Sequence, residues 1–241
     1  MMFEAPRWMR GPARYEDGWV EINRAEAETY DLMTVGDEAF FDFVAIDGAE
    51  DAVQFAQHYG LLRQGPDSGE LRESFIVWKE EIDHLAAALG RYYLLLRAAT
   101  GKKGALDALW GLQDTIASVF EQDAATDEEL MAQVTMIIGG DVSAGLLNSP
   151  LALRGLVEYE EGALPGLFAF APRSPHLLAH VYYLFALLLL EHKPLDMCTH
   201  CLRYFPRIDA RQRYCSPECS QRRRWRTWDE KHRHGRRRKQ K

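Results

Sequence analysis

Apolar residues recur along this chain with a helical period over most of its length and with a strand-like alternation in only a few places. Leu71, Phe75, Trp78, Ile82, Leu85, Leu89, Tyr92 and Leu96 are spaced alternately by four and three. That spacing predicts a long helix with one apolar stripe, a core seam in a helical bundle, with a dimer interface as the alternative. Gly101 and Gly104 close it, and Ala105–Glu121 predicts another helix with Leu109, Leu112, Ile116 and Phe120 inward. Thr126 and Glu129 have capping-box spacing, so a third helix is expected to run to Ile138 and stop at Gly139-Gly140. Ser174-Pro175 opens a helix to about His192 that is apolar nearly all round, the expected buried centre, and Pro194 ends it. Upstream, Ala49–Tyr59 reads as a helix stopped by Gly60, and residues 65–69 as loop. Trp19–Ile22 alternates like a strand, Ala39–Val44 fits strand or helix, and residues 141–172, interrupted by Gly and Pro, have room for one or two short strands. There is no internal repeat.

Composition narrows the class. The 241 residues are 47% hydrophobic and 11% aromatic, too apolar for disorder and sufficient for a sizeable core. Residues 1–18 show no apolar signal segment, so no secretory leader is expected. The longest apolar run, Leu177–Leu190, falls short of the roughly 18 residues that suggest a membrane span. The expectation is a cytoplasmic protein without membrane contact.

Charge sharpens this picture. The formal net charge of −7 hides a segregation: Cys198 to Lys241 holds 15 basic and 4 acidic residues, a net of +11. The other 197 residues hold 14 basic and 32 acidic, a net of −18. A basic arm on an acidic body points to a polyanionic partner for the arm.

All four cysteines fall in that arm, as Cys198-x2-Cys201-x13-Cys215-x3-Cys219. A C-x2-C pair supplies two soft ligands from one tight turn, and four thiolates complete the tetrahedron that zinc prefers. Ser216-Pro217 reads as the cap and first residue of a helix, placing Cys219 in its first turn and Cys215 just before it. Knuckle, short hairpin and ligand-bearing helix make a treble-clef arrangement, with Phe205 and Tyr214 as its small core. One structural Zn2+ is expected on Cys198, Cys201, Cys215 and Cys219, with no open coordination position for catalysis. His200, inside the knuckle, is not needed as a ligand.

The segments Met197-Cys-Thr-His-Cys-Leu-Arg-Tyr-Phe205 and Arg213-Tyr-Cys-Ser-Pro-Glu-Cys-Ser-Gln-Arg222 resemble the CGNR-type zinc finger. That finger ends a family of bacterial stress-induced transcription regulators. The family signature Cys-Gly-Asn-Arg stands here as Cys219-Ser220-Gln221-Arg222, so its Cys and Arg match and its Gly and Asn do not. The resemblance covers about 45 residues and implies DNA binding by the finger and a sensing role for the body.

Placed on a helix at 100° per residue, Arg222, Arg226 and Arg233 fall within about 40° of one another, with Arg223 on their flank. Gln221, Trp225, Trp228 and His232 share a different face. The arginine stripe suits phosphates or guanine edges, and Arg203, Arg207, Arg211 and Arg213 would extend it. Arg226 with Glu230 and Asp229 with Arg233 are i,i+4 pairs that partly neutralise the stripe. The tryptophans are expected to pack against the finger or the body.

No catalytic constellation emerges. Glu81-x-x-His84 lacks a second copy and lies off the apolar stripe, so it reads as surface; His180, on an apolar helix, reads as a hydrogen-bonded core residue, and His176 precedes it by one turn. The expected protein is mainly α and not an enzyme. Residues 1–194 form an acidic, mostly helical domain with a few short strands, for sensing or dimerisation. Residues 195–232 form the zinc finger with its basic helix, and 233–241 a disordered basic tail. The expected partner is DNA, with an RNA- or protein-docking module as the alternative; a second copy of the chain and a small-molecule effector are the expected partners of the body.

Overall fold

The computed structural model describes residues 7–102, 104–120, 122–148, 152–156, 169–174 and 176–238. The chain divides into two compact units, Met1–Leu190 and Glu191–Lys241. Eight α-helices and several short strands make the described residues mainly α, and no described helix is long and apolar enough to cross a membrane.

Unit 1 opens with more strand than its sequence pattern suggests. β1 (Arg7–Arg10) pairs antiparallel with β4 (Glu28–Asp31). β2 (Ala13–Glu16), β3 (Trp19–Ile22) and β5 (Arg72–Ser74) form an antiparallel sheet with β3 at its centre. The β2–β3 turn is Asp17-Gly18, both at positive φ, the two-residue loop whose twist matches that of the flanking strands. The ambiguous segment at residues 39–44 is helical, as α1 (Glu38–Val44), because its Phe residues face one core: Phe40 stacks on Phe185 with centroids 4.9 Å apart, and Phe43 is fully buried. α2 (Ala49–Tyr59) stops at Gly60 as its sequence predicts.

The predicted long helix is α3 (Phe75–Ala99), with Trp78, Ile82, Leu85, Leu89 and Tyr92 buried. Leu71 is buried too, but in the segment before β5, where its carbonyl accepts from the Ile22 amide. The predicted helix over 105–121 is divided at Gly111 into α4 (Ala105–Trp110) and α5 (Gln113–Phe120). α6 begins at the capping box, where Thr126 Oγ1 accepts from the Glu129 amide and Glu129 accepts from the Ala125 amide. It does not stop at Gly139-Gly140; it spans Asp127–Asn148. Two helical glycines cost about 1 kcal/mol each, and the buried row Leu130, Val134, Ile138 and Val142 continues across them at i,i+4 spacing. Further on, a Cβ at Gly145 would lie 2.1 Å from the Tyr182 ring, so only glycine fits that approach. β6 (Ala152–Leu156) and β7 (Ala169–Arg173) form an antiparallel pair. α7 (Leu177–Leu190) is the buried central helix, with nine of its residues in the core; Ser174 before it is buried, and Pro175 lies outside the described residues.

One carboxylate ties the loop after α2 to α3. Glu73, on β5, is buried and accepts hydrogen bonds from the Leu62, Arg63 and Gln64 amides at 2.9, 2.5 and 2.6 Å. It also accepts from the Trp78 indole at 2.7 Å. The same loop accepts the Trp8 indole on the Leu61 carbonyl and the Leu178 amide on the Leu62 carbonyl. Sheet, α3 and α7 therefore meet on residues 61–64.

Unit 2 contains β8 (Leu195–Met197), antiparallel to β9 (Tyr204–Pro206), and α8 (Pro217–Arg238). Pro194 belongs with it, since its carbonyl accepts the Arg207 amide at 2.7 Å. α8 continues six residues past 232, where the sequence pattern places the end of ordered structure; residues 239–241 lie outside the described set.

Glu73→Gln keeps the shape but points an amide N–H2 at groups that only donate. We expect it to destabilise the chain by about 2–4 kcal/mol, read as a lower urea midpoint, whereas Glu21→Gln at an exposed ion pair should change it by less than about 0.5 kcal/mol.

Candidate metal centre

β8 and β9 exist to hold a turn. Between them Cys198, Cys201 and the intervening Thr199 and His200 form a knuckle closed by two backbone hydrogen bonds. The Leu202 amide donates to the Cys198 carbonyl and the Cys198 amide to the Arg203 carbonyl, both at 2.9 Å. Leu202 takes φ +62°, a left-handed conformation that costs a side-chain-bearing residue about 1–2 kcal/mol, and its side chain is exposed. The hairpin thus embraces the knuckle rather than following it, and residues 207–214 lie in turns, bends and irregular backbone.

That loop delivers the second pair of cysteines. The Thr199 amide donates to the Arg213 carbonyl at 3.2 Å, fastening the knuckle to the residues just before Cys215. Ser216 Oγ accepts from the Cys219 amide at 3.3 Å, the helix cap its sequence predicts, so Cys219 sits in the first turn of α8. The ligand atoms of Cys198, Cys201, Cys215 and Cys219 all lie within 4.8 Å of one another. Cys215 Sγ is 3.5 Å from both Cys201 Sγ and Cys219 Sγ.

These distances discriminate between chemistries. A disulfide needs its sulfurs about 2.05 Å apart, and all four cysteines are free. A tetrahedral ion with metal–sulfur bonds of about 2.3 Å places its sulfurs about 3.8 Å apart, which this cluster matches. Donor set and spacing fit a metal ion held by four thiolates. Among the described residues this is the sole group of three or more metal-competent side chains.

The electrostatics point the same way. Burial opposes ionisation of Cys198, but hydrogen bonds from the Cys201, Cys215 and His200 amides outweigh it and bring the thiol down to about 6. Burial raises the Cys201 thiol against an opposing amide of Arg203. Burial raises Cys215 too, reinforced by its sulfur neighbours. A cation at the centre removes that resistance, since a coordinating thiol is deprotonated outright.

The small core of unit 2 contains Leu195, Cys198 and Phe205, all nearly inaccessible; Phe205 is as expected, while Tyr214 is only half-buried. Beyond Cys219, α8 turns outward. Every residue from Gln221 to Trp228 is exposed, including Arg222, Arg223 and Arg226. Arg203, Arg211 and Arg213 are exposed as well, whereas Arg207 is half-buried near Asp196, at 3.7 Å. Arg233 lies on the helix, but its side chain falls outside the described residues.

The tryptophans depart from expectation. Within unit 2, Trp225 and Trp228 do not join the finger's small core: they are 62% and 51% exposed. Their rings are 5.8 Å apart, edge to face, and Trp228 stacks on His232 at 4.1 Å. Helical spacing groups these three rings but cannot say whether their face is covered. Arg224, exposed beside them, is a further cation that the stripe of Arg222, Arg226 and Arg233 left out.

In unit 1, His180 is the expected core histidine, in contact with Ser174 Oγ at 3.3 Å and the Val35 carbonyl at 3.0 Å. Burial holds its imidazole below the ordinary value, as it does that of His176. Glu81 differs from its surface reading: it accepts from Arg63 at 2.6 Å and from the Tyr182 hydroxyl at 2.9 Å. With His84, Asp141 and His176 it lines a recess of about 720 Å³ between α3, α6 and the start of α7. Comparison with family models, characterised proteins and solved structures finds no match for this chain.

Cys215→Ser should reduce bound metal from about one equivalent to a trace, measured on the purified chain by elemental analysis. Because structural metal sites supply folding energy directly, the same variant should open the arginines of unit 2 to trypsin within minutes under conditions where the metal-loaded chain resists.

Proposed function

We propose that unit 2 is a zinc finger of treble-clef type whose α8 binds nucleic acid, with DNA as the expected polyanion, and that the chain is a bacterial transcription regulator like the proteins its finger resembles. The observation that carries this reading is positional. Cys219 anchors the first turn of α8, and Arg222, Arg223, Arg224 and Arg226 follow within two turns, all exposed. The metal cluster fixes the helix at one end and presents its cations along a rigid rod.

Zinc is the ion favoured by four thiolates in a closed tetrahedron with no redox demand. Arginine, 12 of the 15 basic residues from Cys198 onward, suits phosphate recognition through its planar fork of donors. Arg203, Arg211 and Arg213 belong to the same surface in this reading, and Arg226 contributes alongside the partner it already has. The acidic unit 1 supplies dimerisation or effector sensing, with the recess at Glu81, His84 and His176 as the place for a small effector. The reading gives the chain no catalytic step.

A salt titration tests it. With about six phosphates neutralised, log K for a duplex should fall with log[salt] at a slope near −5, a loss on the order of a thousandfold between 50 and 200 mM. Arg222→Ala with Arg223→Ala should flatten that slope by about 2. No measurable binding to either duplex or single-stranded nucleic acid at 50 mM by the zinc-loaded chain sinks the reading, and iron in place of zinc sinks its metal assignment.

A further inference from the structure

We propose that the ridge formed by Trp225, Trp228 and His232 stacks on unpaired bases, so that the polyanion held by α8 is single-stranded nucleic acid. The inference rests on α8 being a nucleic-acid-binding helix and names which form of nucleic acid it takes.

The ridge is unusual for what does not cover it. Two indoles more than half exposed, on a helix whose residues 221–228 are all exposed, leave a large apolar surface in water. His232 covers one face of Trp228, at an interplanar angle of 24°, and Trp225 and Trp228 meet edge to face, at 73°. Even with these contacts the two indoles remain 62% and 51% exposed.

Charge decides what those faces meet. At 100° per residue, Trp225, Trp228 and His232 fall within about 60° of one another; Arg224 lies about 40° to one side of Trp228, and on the other Arg222 lies about 60° beyond Trp225, with Asp229, which already has a partner, about 40° from Trp225 on that side. An aromatic strip flanked on both sides by guanidinium groups matches a strand whose bases lie on the strip and whose phosphates run along its edge. From Trp225 to His232 the helix rises about 10 Å, room for roughly three nucleotides at about 3.4 Å each.

The other occupants fit less well. In a duplex the base faces are already stacked, so indoles reach them only by unstacking a step, at a cost of a few kcal/mol. Groove edges are read by polar groups and methyl contacts, which the indole face does not supply. A second copy of this chain meeting the ridge face to face would bring Arg222 and Arg224 against their own counterparts, a like-charge contact. An apolar protein surface would have to desolvate the same arginines without pairing them.

The test uses the full-length, metal-loaded chain and three labelled probes at one salt concentration: a 20-nucleotide oligo(dT), a 20-nucleotide oligo(U) and a 20-base-pair duplex. Fluorescence anisotropy should give tighter binding to at least one single strand than to the duplex. The preferred strand identifies the sugar. Trp225→Ala and Trp228→Ala should each weaken that binding about tenfold, within the range for one stacked base, with the salt slope, metal content and helical circular dichroism unchanged. Trp→Phe at either position should restore most of the loss. Duplex binding that exceeds single-strand binding and ignores both tryptophans overturns the inference and leaves the nucleic-acid reading standing. Absence of binding to all three probes removes that reading as well. A drop from dimer to monomer by light scattering in the Trp→Ala variants, with oligonucleotide binding intact, assigns the ridge to a second copy and also overturns the inference.

Discussion

Four cysteine sulfurs gathered within a few ångströms cannot all ionise unless a cation sits among them. That constraint organises the C-terminal unit. The knuckle between β8 and β9 turns its amides toward Cys198, the Thr199–Arg213 hydrogen bond brings the second pair alongside, and the Ser216 cap sets Cys219 on α8. Among the described residues fewer than a handful of buried side chains support this unit, so hydrophobic burial alone would hold it weakly. An ion filling the tetrahedron would supply folding energy to this unit and would fix the direction in which α8 leaves the cluster.

The site was more legible than the fold around it, for a physical reason. Metal ligation depends on few residues with strict spacing, and Cys198, Cys201, Cys215 and Cys219 show it in one line of sequence. The long helices were legible too, because α3 and α7 bury regular faces. What escaped depends on contacts far apart in sequence. α6 crosses two glycines because its buried row is completed by other helices, and Glu81 is drawn from the surface by Arg63 and Tyr182, which lie 18 and 101 residues away. The strands β1, β2 and β4 are short and half polar, so alternation could not separate them from loop. The Asp17-Gly18 turn was the signal available for the first hairpin, since that dipeptide accommodates positive φ twice. The exposure of Trp225 and Trp228 had no sequence signal, because an amphipathic helix looks alike whether its apolar face is covered or bare.

The charge segregation acquires a structural meaning from this arrangement. The basic excess is not spread over a loose arm: much of it stands on a helix rooted in the sulfur cluster, and the rest on the loops that deliver the ligands.

Glu73 holds a different kind of consequence. Three successive amides of a segment with neither helix nor strand end on one buried carboxylate, beside a tryptophan indole that ends there too. Such amides open only when the carboxylate leaves, and the carboxylate cannot leave without unseating α3. Leu62, Arg63 and Gln64 should therefore exchange their hydrogens with solvent as slowly as the core of α3 does. By the measure of exchange, this irregular stretch belongs to the most durable part of the molecule, and the boundary between rigid and yielding backbone runs through its loops rather than around its helices.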